Sequence, residues 1–184
     1  MSITNFFAYG SLMWEHSLPY VTARIPAVLH GHRRSLCLYS WVYRGTRKDP
    51  GLVLGLEQDA SSSTAGCILR VPLAAAESAL AFFDERELIN GIYRREVVEC
   101  VTDSGRVAAY AYLARGEHEQ YCGALTESEL VRLVARGVGT RGTTLAYLDG
   151  TLRSLHEYGV HEPELERVLT AARALDSKRD APGV

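Results

Sequence analysis

The stretch Phe6-Phe7-Ala8-Tyr9-Gly10-Ser11-Leu12-Met13-Trp14 places an apolar, aromatic run directly before a glycine. Phe6, Phe7 and Tyr9 predict a short buried strand. Gly10 lets the backbone bend, or approach a ligand, where a side chain would clash. The N–H groups that follow can then point outward, and such a turn can bind a carboxylate or an oxyanion. The stretch therefore predicts either an ordinary turn after a core strand or a binding loop.

Length and composition indicate one ordinary globular domain. The chain has 184 residues, of which 47% are hydrophobic and 23% charged, and its formal net charge is -2. A chain of this length can bury about 70% of its unfolded surface. We place the domain at residues 1–175 and predict that the charged, Pro- and Gly-bearing tail at 176–184 is disordered. The nearly balanced charge argues against nucleic acid or an anionic membrane as a partner.

The cysteine pattern indicates core thiols. Cys37, Cys67, Cys100 and Cys122 lie far apart and form no C-x-x-C pair, so neither a zinc site nor a redox pair is indicated. No basic region precedes an apolar segment at the N-terminus, and no run of about 18 apolar residues occurs. We therefore expect a cytoplasmic protein with reduced thiols. The sequence does not indicate an oligomeric state.

Strands dominate the first part of the chain and helices the last part. Strands are predicted at 6–9, 27–31, 33–42, 52–58, 66–71, 93–100 and 107–113, and helices at 73–85, 126–136, 143–158 and 162–175. The strands at 52–58 and 66–71 are predicted to form a hairpin about a turn at 61–64, and those at 93–100 and 107–113 a second hairpin joined at 103–105. The sequence TESE at 126–129 resembles an N-terminal capping box. Because strand 33–42 is partly apolar on both faces, we expect it to be covered on both sides or curled into a barrel. The order of elements predicts an α+β fold.

Four stretches resemble the gamma-glutamylcyclotransferase superfamily, and specifically its ChaC branch. They occur in the family's order: YGSL at 9–12 with Trp14, RGT at 44–46 with PGLVLGL at 50–56, RELINGIY at 86–93, and YL at 147–148 leading to LHEYGV at 155–160. The resemblance spans roughly residues 4–170. It implies a small mixed, mostly antiparallel β-barrel surrounded by helices.

The resemblance also implies a reaction that needs no cofactor. The free α-amine of a γ-glutamyl group attacks its own γ-amide carbonyl, which releases 5-oxoproline and the amine. Glutathione is the favoured substrate, and Cys-Gly is then the released amine. Glu87 matches the family's catalytic glutamate, six residues before Tyr93. Proton transfer from an α-ammonium to an ordinary Glu is uphill by about 5 kcal/mol. We therefore predict that Glu87 is partly buried with a raised pKa, and acts first as base and then as acid.

Several residues are candidates for contact with the substrate. By resemblance, the turn at 9–12 holds the glutamyl head. The basic loop that carries Arg44, Arg47 and Lys48 is either an ordinary solvated surface loop or the segment that receives the distal carboxylate of a peptide such as glutathione. The substrate-binding candidates are Tyr9, Gly10, Ser11, Leu12, Arg44, Tyr93 and Tyr121. No metal site is predicted, because His30 and His32 have no evident third ligand.

Other readings of the same residues stay open. The enzyme could remove γ-glutamyl from another amine or from a specialised metabolite, since no segment identifies the leaving group. Ser11 could be the nucleophile of an acyl-enzyme hydrolase, although it lies outside G-x-S-x-G and no histidine stands at a recognised offset. The protein could also bind γ-glutamyl ligands without catalysis. No P-loop, G-x-G-x-x-G unit or H-E-x-x-H motif is present.

Overall fold

The computed structural model describes residues 4–15 and 17–179, with side chains as far as residue 177. Within these ranges the strands are β1 (Asn5–Ala8), β2 (Ala23–Ser40), β3 (Gly51–Arg70), β4 (Tyr93–Thr102), β5 (Gly105–Ala114), β6 (Val138–Gly139) and β7 (Gly142–Thr143). The helices are α1 (Ala76–Glu87), α2 (Glu127–Arg136), α3 (Thr144–Glu157) and α4 (Pro163–Arg179), with short 3-10 turns at Ser11–Met13 and Leu73–Ala75.

Strands β1 to β5 form a closed barrel in the order β1-β3-β2-β4-β5, and β6 pairs with β7. The predicted α+β class and mixed barrel are therefore confirmed. Two compact units can be distinguished, one from Met1–Ser35 and Gly55–His118, the other from Leu36–Leu54 and Glu119–Val184. The assignment of residues 1–175 to one domain stays a prediction. In the parts of the chain that the structure describes, no helix is long and apolar enough to cross a membrane.

Strand β1 lies in the core of the first unit, as its aromatic sequence predicts. It pairs antiparallel with β3, where Phe6 lies opposite Leu69, and parallel with β5, where Phe6 lies opposite Tyr110. Phe6 and Phe7 are each 1% exposed, and the Phe6 and Phe83 ring centroids are 4.3 Å apart. Burial of each such ring contributes about 2 to 3 kcal/mol. This packing places the residues after β1 close to α1.

Two strands are longer than the sequence predicts. Residues 51–70 form the single strand β3, so the predicted hairpin about 61–64 is wrong. Asp59 accepts hydrogen bonds from the hydroxyls of Ser61 and Ser62, both at 2.7 Å, so these polar side chains are satisfied without a chain reversal. The predicted strands at 27–31 and 33–42 are likewise one strand, β2. Gly31 has φ +75°, which lets the strand bend there without ending.

Helix α1 carries the candidate catalytic glutamate as its last residue. The helix begins and ends a few residues later than predicted, and it buries Ala79 and Phe83. The N–H of Leu88 bonds to the carbonyl of Asp84 at 2.9 Å, and Gly91 with φ +67° then turns the chain towards β4. Strands β4 and β5 form the predicted hairpin. Its turn ends at Gly105, whose φ of +116° explains the glycine.

Three helices build the core of the second unit. Thr126 forms the predicted capping box with Glu129 at the start of α2. Leu148 and Leu155 of α3 and Ala172 of α4 are each fully buried. Helix α4 continues to Arg179, so the first part of the predicted disordered tail is helical. Residues 180–184, the rest of that tail, lie outside the described residues.

Gly51, the first glycine of the PGLVLGL stretch, lies where other atoms of the second unit approach its backbone closely. A Cβ on Gly51 would collide with the Arg44 carbonyl and the Thr144 hydroxyl. That hydroxyl accepts from the N–H of Leu52 at 3.2 Å and donates to the Arg44 carbonyl at 3.1 Å. Gly51 therefore lets the start of β3 lie against the first residue of α3.

All four cysteines are free, and all lie within the described residues. Cys37, Cys67 and Cys100 are buried, and Cys122 is half-buried. Burial raises the pKa of Cys100 to about 12. Such a thiol stays protonated at neutral pH and behaves as a small apolar side chain, as predicted.

Candidate active site

The YGSL residues form a compact turn after β1. The N–H of Met13 bonds to the Gly10 carbonyl at 2.9 Å, and the N–H of Trp14 bonds to the Ser11 carbonyl at 3.2 Å. The N–H groups of Ser11 and Leu12 come before these two donors in the chain. Like the first N–H groups of any helical turn, they have no carbonyl partner within the turn. This geometry suits the predicted role of the turn in binding a carboxylate, which stays a prediction.

Tyr9 is buried, at 8% exposure, and its polar groups are used by the fold. Its hydroxyl donates to the carbonyl of Tyr112 at 2.7 Å. Its own carbonyl accepts from Nε of the buried Arg34 at 2.8 Å. These bonds hold the residue directly before Gly10 in place. The side chain and the carbonyl of Tyr9 therefore fix the start of the turn.

Glu87 is half-buried, with 17% of its side chain exposed, so the predicted partial burial is observed. Its Oε1 accepts from Nε of Arg86 at 2.8 Å. Burial favours the neutral acid, whereas an adjacent guanidinium favours the charged carboxylate. Because these two effects oppose each other, the raised pKa expected for Glu87 stays a prediction.

Arg86 joins Glu87 to the turn that follows β1. Its Nη2 donates to the Ser11 hydroxyl at 3.2 Å, and its Nη1 forms an ion pair with Glu15. Burial lowers the pKa of Arg86, but the charges and hydrogen bonds of Glu87 and Glu15 outweigh this effect and raise it. Sequence reasoning assigned Arg86 no role in the chemistry. Its position next to Glu87 in the sequence could have indicated a role, but a run of mixed charges is also typical of a solvated helix face.

Asp84 lies in the same mixed-charge run, which is typical of a solvated helix face, but both of its carboxylate oxygens have partners in the fold. Its Oδ1 accepts from the hydroxyl of the buried Tyr112 at 2.9 Å, and its Oδ2 pairs with Arg95. Burial, and then the hydrogen bond to Asp84, raise the pKa of Tyr112. The charge of Glu87 acts on Tyr112 in the same direction. Tyr112 therefore stays a neutral hydroxyl next to the end of α1.

The remaining candidates divide between the two units. Tyr93 is half-buried at the start of β4, where it pairs with Ala114. Arg44 and Tyr121 belong to the second unit. The Arg44 guanidinium donates to the Arg141 carbonyl and lies 5.2 Å from the centre of the Tyr147 ring. Tyr121 forms an isolated bridge with Leu38. Contact of these three residues with a substrate stays a prediction.

Two alternatives depend on histidines: a Ser11 nucleophile with a histidine base, and a metal site at His30 and His32. The Ser11 hydroxyl accepts from Arg86, and a guanidinium cannot take a proton from it. His16, one of the histidines considered as a base, lies outside the described residues. His32 uses Nδ1 in a contact of 3.1 Å with the carbonyl of His30. Neither a Ser-His pair nor a His30 and His32 metal site is therefore supported.

The barrel and its helices define a gamma-glutamylcyclotransferase fold. A solved gamma-glutamyl cyclotransferase specific to glutathione from yeast superposes with a TM-score of 0.83, covering 95% of this chain and 97% of that one at 20% identity. The family model described as ChaC-like protein matches residues 5–174. The chain belongs to the ChaC-like family.

Two curated relatives are named for the same activity. A glutathione-specific gamma-glutamylcyclotransferase from Escherichia coli is 30% identical over 179 residues, which cover 97% of this chain and 76% of that protein. Glutathione-specific gamma-glutamylcyclotransferase 1 from Homo sapiens is 30% identical over 145 residues, covering 77% of this chain and 65% of that protein. The chain therefore spans only about two thirds of the human relative's length.

Proposed function

We propose that the protein is a gamma-glutamylcyclotransferase that converts glutathione to 5-oxoproline and Cys-Gly. The observation that carries the proposal is the half-buried carboxylate of Glu87, which Arg86 connects to Ser11 in the YGSL turn. The family and the names of its relatives supply the reaction class. The geometry supplies a carboxylate next to a turn that could hold the glutamyl head.

The reaction is an intramolecular acyl transfer. A bond forms between the α-amine nitrogen and the γ-carbonyl carbon, and the γ-amide C–N bond breaks. The α-amine loses a proton and the leaving nitrogen gains one, so the overall step needs no oxidant or cofactor. Because the nucleophile is tethered to its target, the substrate itself already has the advantage of proximity, and the enzyme has to fold it into the ring-closing shape.

Glu87 is proposed to carry the proton between the two nitrogens. The ion pair with Arg86 favours the charged carboxylate, which is the form that a general base needs. After accepting a proton from the amine, the neutral acid can give it to the leaving nitrogen. The N–H groups of Ser11 and Leu12 are proposed to bind the α-carboxylate of the glutamyl group. The hydroxyl of Tyr112, which donates to Asp84, stays neutral throughout the reaction.

The test is to incubate the purified protein with glutathione and with a series of γ-glutamyl dipeptides, and to measure 5-oxoproline by mass spectrometry. We expect 5-oxoproline and Cys-Gly in equal amounts from glutathione. Release from a dipeptide but not from glutathione would favour the alternative in which another amine is the leaving group. No release from any of these compounds would contradict the proposed activity.

A binding protein without catalytic activity is the second candidate. It would bind glutathione without forming 5-oxoproline, and calorimetric titration would detect this. The cytoplasmic location, and the absence of nucleic acid and membrane partners, stay predictions from the sequence.

A further inference from the structure

Two histidines and a glutamate converge where α3 ends and α4 begins. His156 lies in the last turn of α3, His161 in the connection, and Glu166 in the first turn of α4. One ligand atom from each lies within 4.8 Å of the other two. Oε1 of Glu166 is 2.7 Å from Nε2 of His156 and 3.3 Å from Nδ1 of His161.

The backbone between the two helices holds the three side chains together. The N–H of Gly159, at φ +69°, bonds to the His156 carbonyl at 2.9 Å, and the N–H of Val160 bonds to Leu155 at 3.0 Å. This helix end reverses the chain, so that the connection returns past His156. The N–H of Glu162 also bonds to Oε1 of Glu166 at 3.3 Å. The cluster is therefore defined by backbone contacts as well as by its own hydrogen bonds.

The donor set matches a known class of metal site. Two imidazole nitrogens and one carboxylate oxygen hold Zn²⁺ in three-ligand sites, with water in the fourth position. At bond lengths of about 2.0 to 2.2 Å, tetrahedral donors lie roughly 3.3 to 3.5 Å from one another. The Glu166 oxygen lies 2.7 and 3.3 Å from the two imidazole nitrogens, and all three ligand atoms lie within 4.8 Å of one another. Side-chain rotations that move Glu166 away from His156 would bring the three atoms to the spacing that an ion needs.

The surrounding charge also favours a cation. Residues 156–166 contain four glutamates and neither lysine nor arginine. Arg167 follows directly, but its Nε lies 3.6 Å from Glu127 of α2. The side chains of His156, His161 and Glu166 are 44%, 70% and 33% exposed, so an ion can reach them from solvent.

We propose that His156, His161 and Glu166 bind a divalent cation of the zinc class and thereby join the end of α3 to the start of α4. The two imidazole nitrogens that face Glu166 would coordinate the ion instead of donating hydrogen bonds to the carboxylate. The fourth position is filled by water. The ion stabilises the helix junction and takes no part in the transfer of the γ-glutamyl group.

The test is calorimetric titration of Zn²⁺ into the full chain after treatment with a chelator. We expect one equivalent to bind to the unmodified protein. His161→Ala and Glu166→Gln should each weaken binding by at least about tenfold, because each removes one of three ligands. His30→Ala is the matched control, since it removes an exposed imidazole elsewhere and should leave the affinity unchanged.

Two further measurements distinguish this site from loose surface binding. Zn²⁺ should raise the Tm of the unmodified protein and of His30→Ala, but not that of His161→Ala, because binding to the folded state stabilises it. Co²⁺ bound at the same site should show the strong visible absorption of a four-coordinate ion, and His161→Ala should abolish it. Binding that His161→Ala and Glu166→Gln leave unchanged, or no binding of one equivalent, would overturn the proposal.

Discussion

Each unit contains a charged side chain that is mostly buried and has two partners of opposite charge. In the first unit, Arg86 is 16% exposed and pairs with Glu15 and Glu87. In the second unit, Asp149 is 13% exposed and pairs with Arg153 and Arg173. The central side chain is a cation in the first cluster and an anion in the second, and each pairs with two side chains of opposite charge.

The clusters differ in how far their partners reach solvent. Arg153 and Arg173 are 75% and 51% exposed, so the partners of Asp149 keep most of their hydration. Of the two partners of Arg86, Glu15 is 38% exposed but Glu87 only 17%, so one carboxylate of the first cluster has little contact with water. A carboxylate with little hydration is more responsive to a bound substrate than one in bulk water. The difference in exposure therefore supports our proposal that the first cluster carries the chemistry, and it indicates that the second cluster serves helix packing.

Replacement of Glu87 should have the largest effect on activity. We expect Glu87→Gln to lower kcat for glutathione by a factor on the order of 100 or more, because it removes the proton carrier. Binding measured by calorimetry should change little. Glu85→Gln is the matched control, since Glu85 is an exposed acid two residues earlier in α1. Full turnover in Glu87→Gln would contradict the proposal that the first cluster carries the chemistry.

Replacement of Arg86 should affect both stability and the pH dependence of catalysis. Arg86→Gln leaves Glu15 and Glu87 without their shared cation, and we expect a loss in the free energy of unfolding on the order of 2 kcal/mol. The pKa of Glu87 should rise when the guanidinium is removed, so the acid limb of kcat/KM should move to higher pH. Urea unfolding and a pH-rate profile measure the two effects.

Arg86→Lys separates positioning from charge. It restores a positive charge but not the planar guanidinium that reaches Ser11, Glu15 and Glu87 together. We expect the acid limb to return towards that of the unmodified enzyme, with kcat still reduced. An unchanged acid limb in Arg86→Gln would mean that Arg86 has only a structural role.

Asp149 gives an intermediate effect with a defined pH dependence. The hydrogen bond from Arg153, and then the charges of Arg173 and Arg153, lower the pKa of Asp149 against the opposing effect of burial. A lowered folded-state pKa stabilises the protein above the unfolded value of about 3.9. This contribution is lost as the pH falls through the folded-state pKa.

Asp149→Asn should therefore lower the free energy of unfolding at pH 7 by an amount on the order of 1 kcal/mol, after allowance for the exposed arginines. The difference from the unmodified protein should shrink below about pH 4, where the unfolded chain binds a proton at this carboxylate before the folded protein does. Thermal unfolding followed by circular dichroism at several pH values measures this. A difference that does not depend on pH would indicate loss of packing and not of charge.

The smallest effect is expected at Arg47. It pairs with Glu119 at 3.0 Å, but the two side chains are 70% and 61% exposed. Arg47 also lies 4.0 Å from the centre of the Trp41 ring. Arg47→Ala should change the free energy of unfolding by no more than about 0.5 kcal/mol. A rise in KM for glutathione with unchanged stability would instead support the predicted contact of this basic loop with the distal carboxylate.

Local signals in the sequence predicted those features that depend on neighbouring residues. The capping box at Thr126 and the hairpin ending at Gly105 are of this kind, because their hydrogen bonds and dihedral angles involve only a few adjacent positions. The predicted hairpin at 52–71 failed because Ser61 and Ser62 are typical of turns, while pairing along β3 decides whether the chain reverses.

The sequence by itself determined the α+β class, the buried strand at Phe6 and Phe7, and Glu87 as the residue to test. The class and the strand follow from periodicity, and Glu87 follows from the resemblance of the RELINGIY stretch to the family's motif. Only the tertiary structure decided that Arg86 bonds Ser11, 75 residues away, and that His161 and His156 meet Glu166. The physical reason is that burial and charge pairing depend on which segments pack together, and local spacing does not specify this.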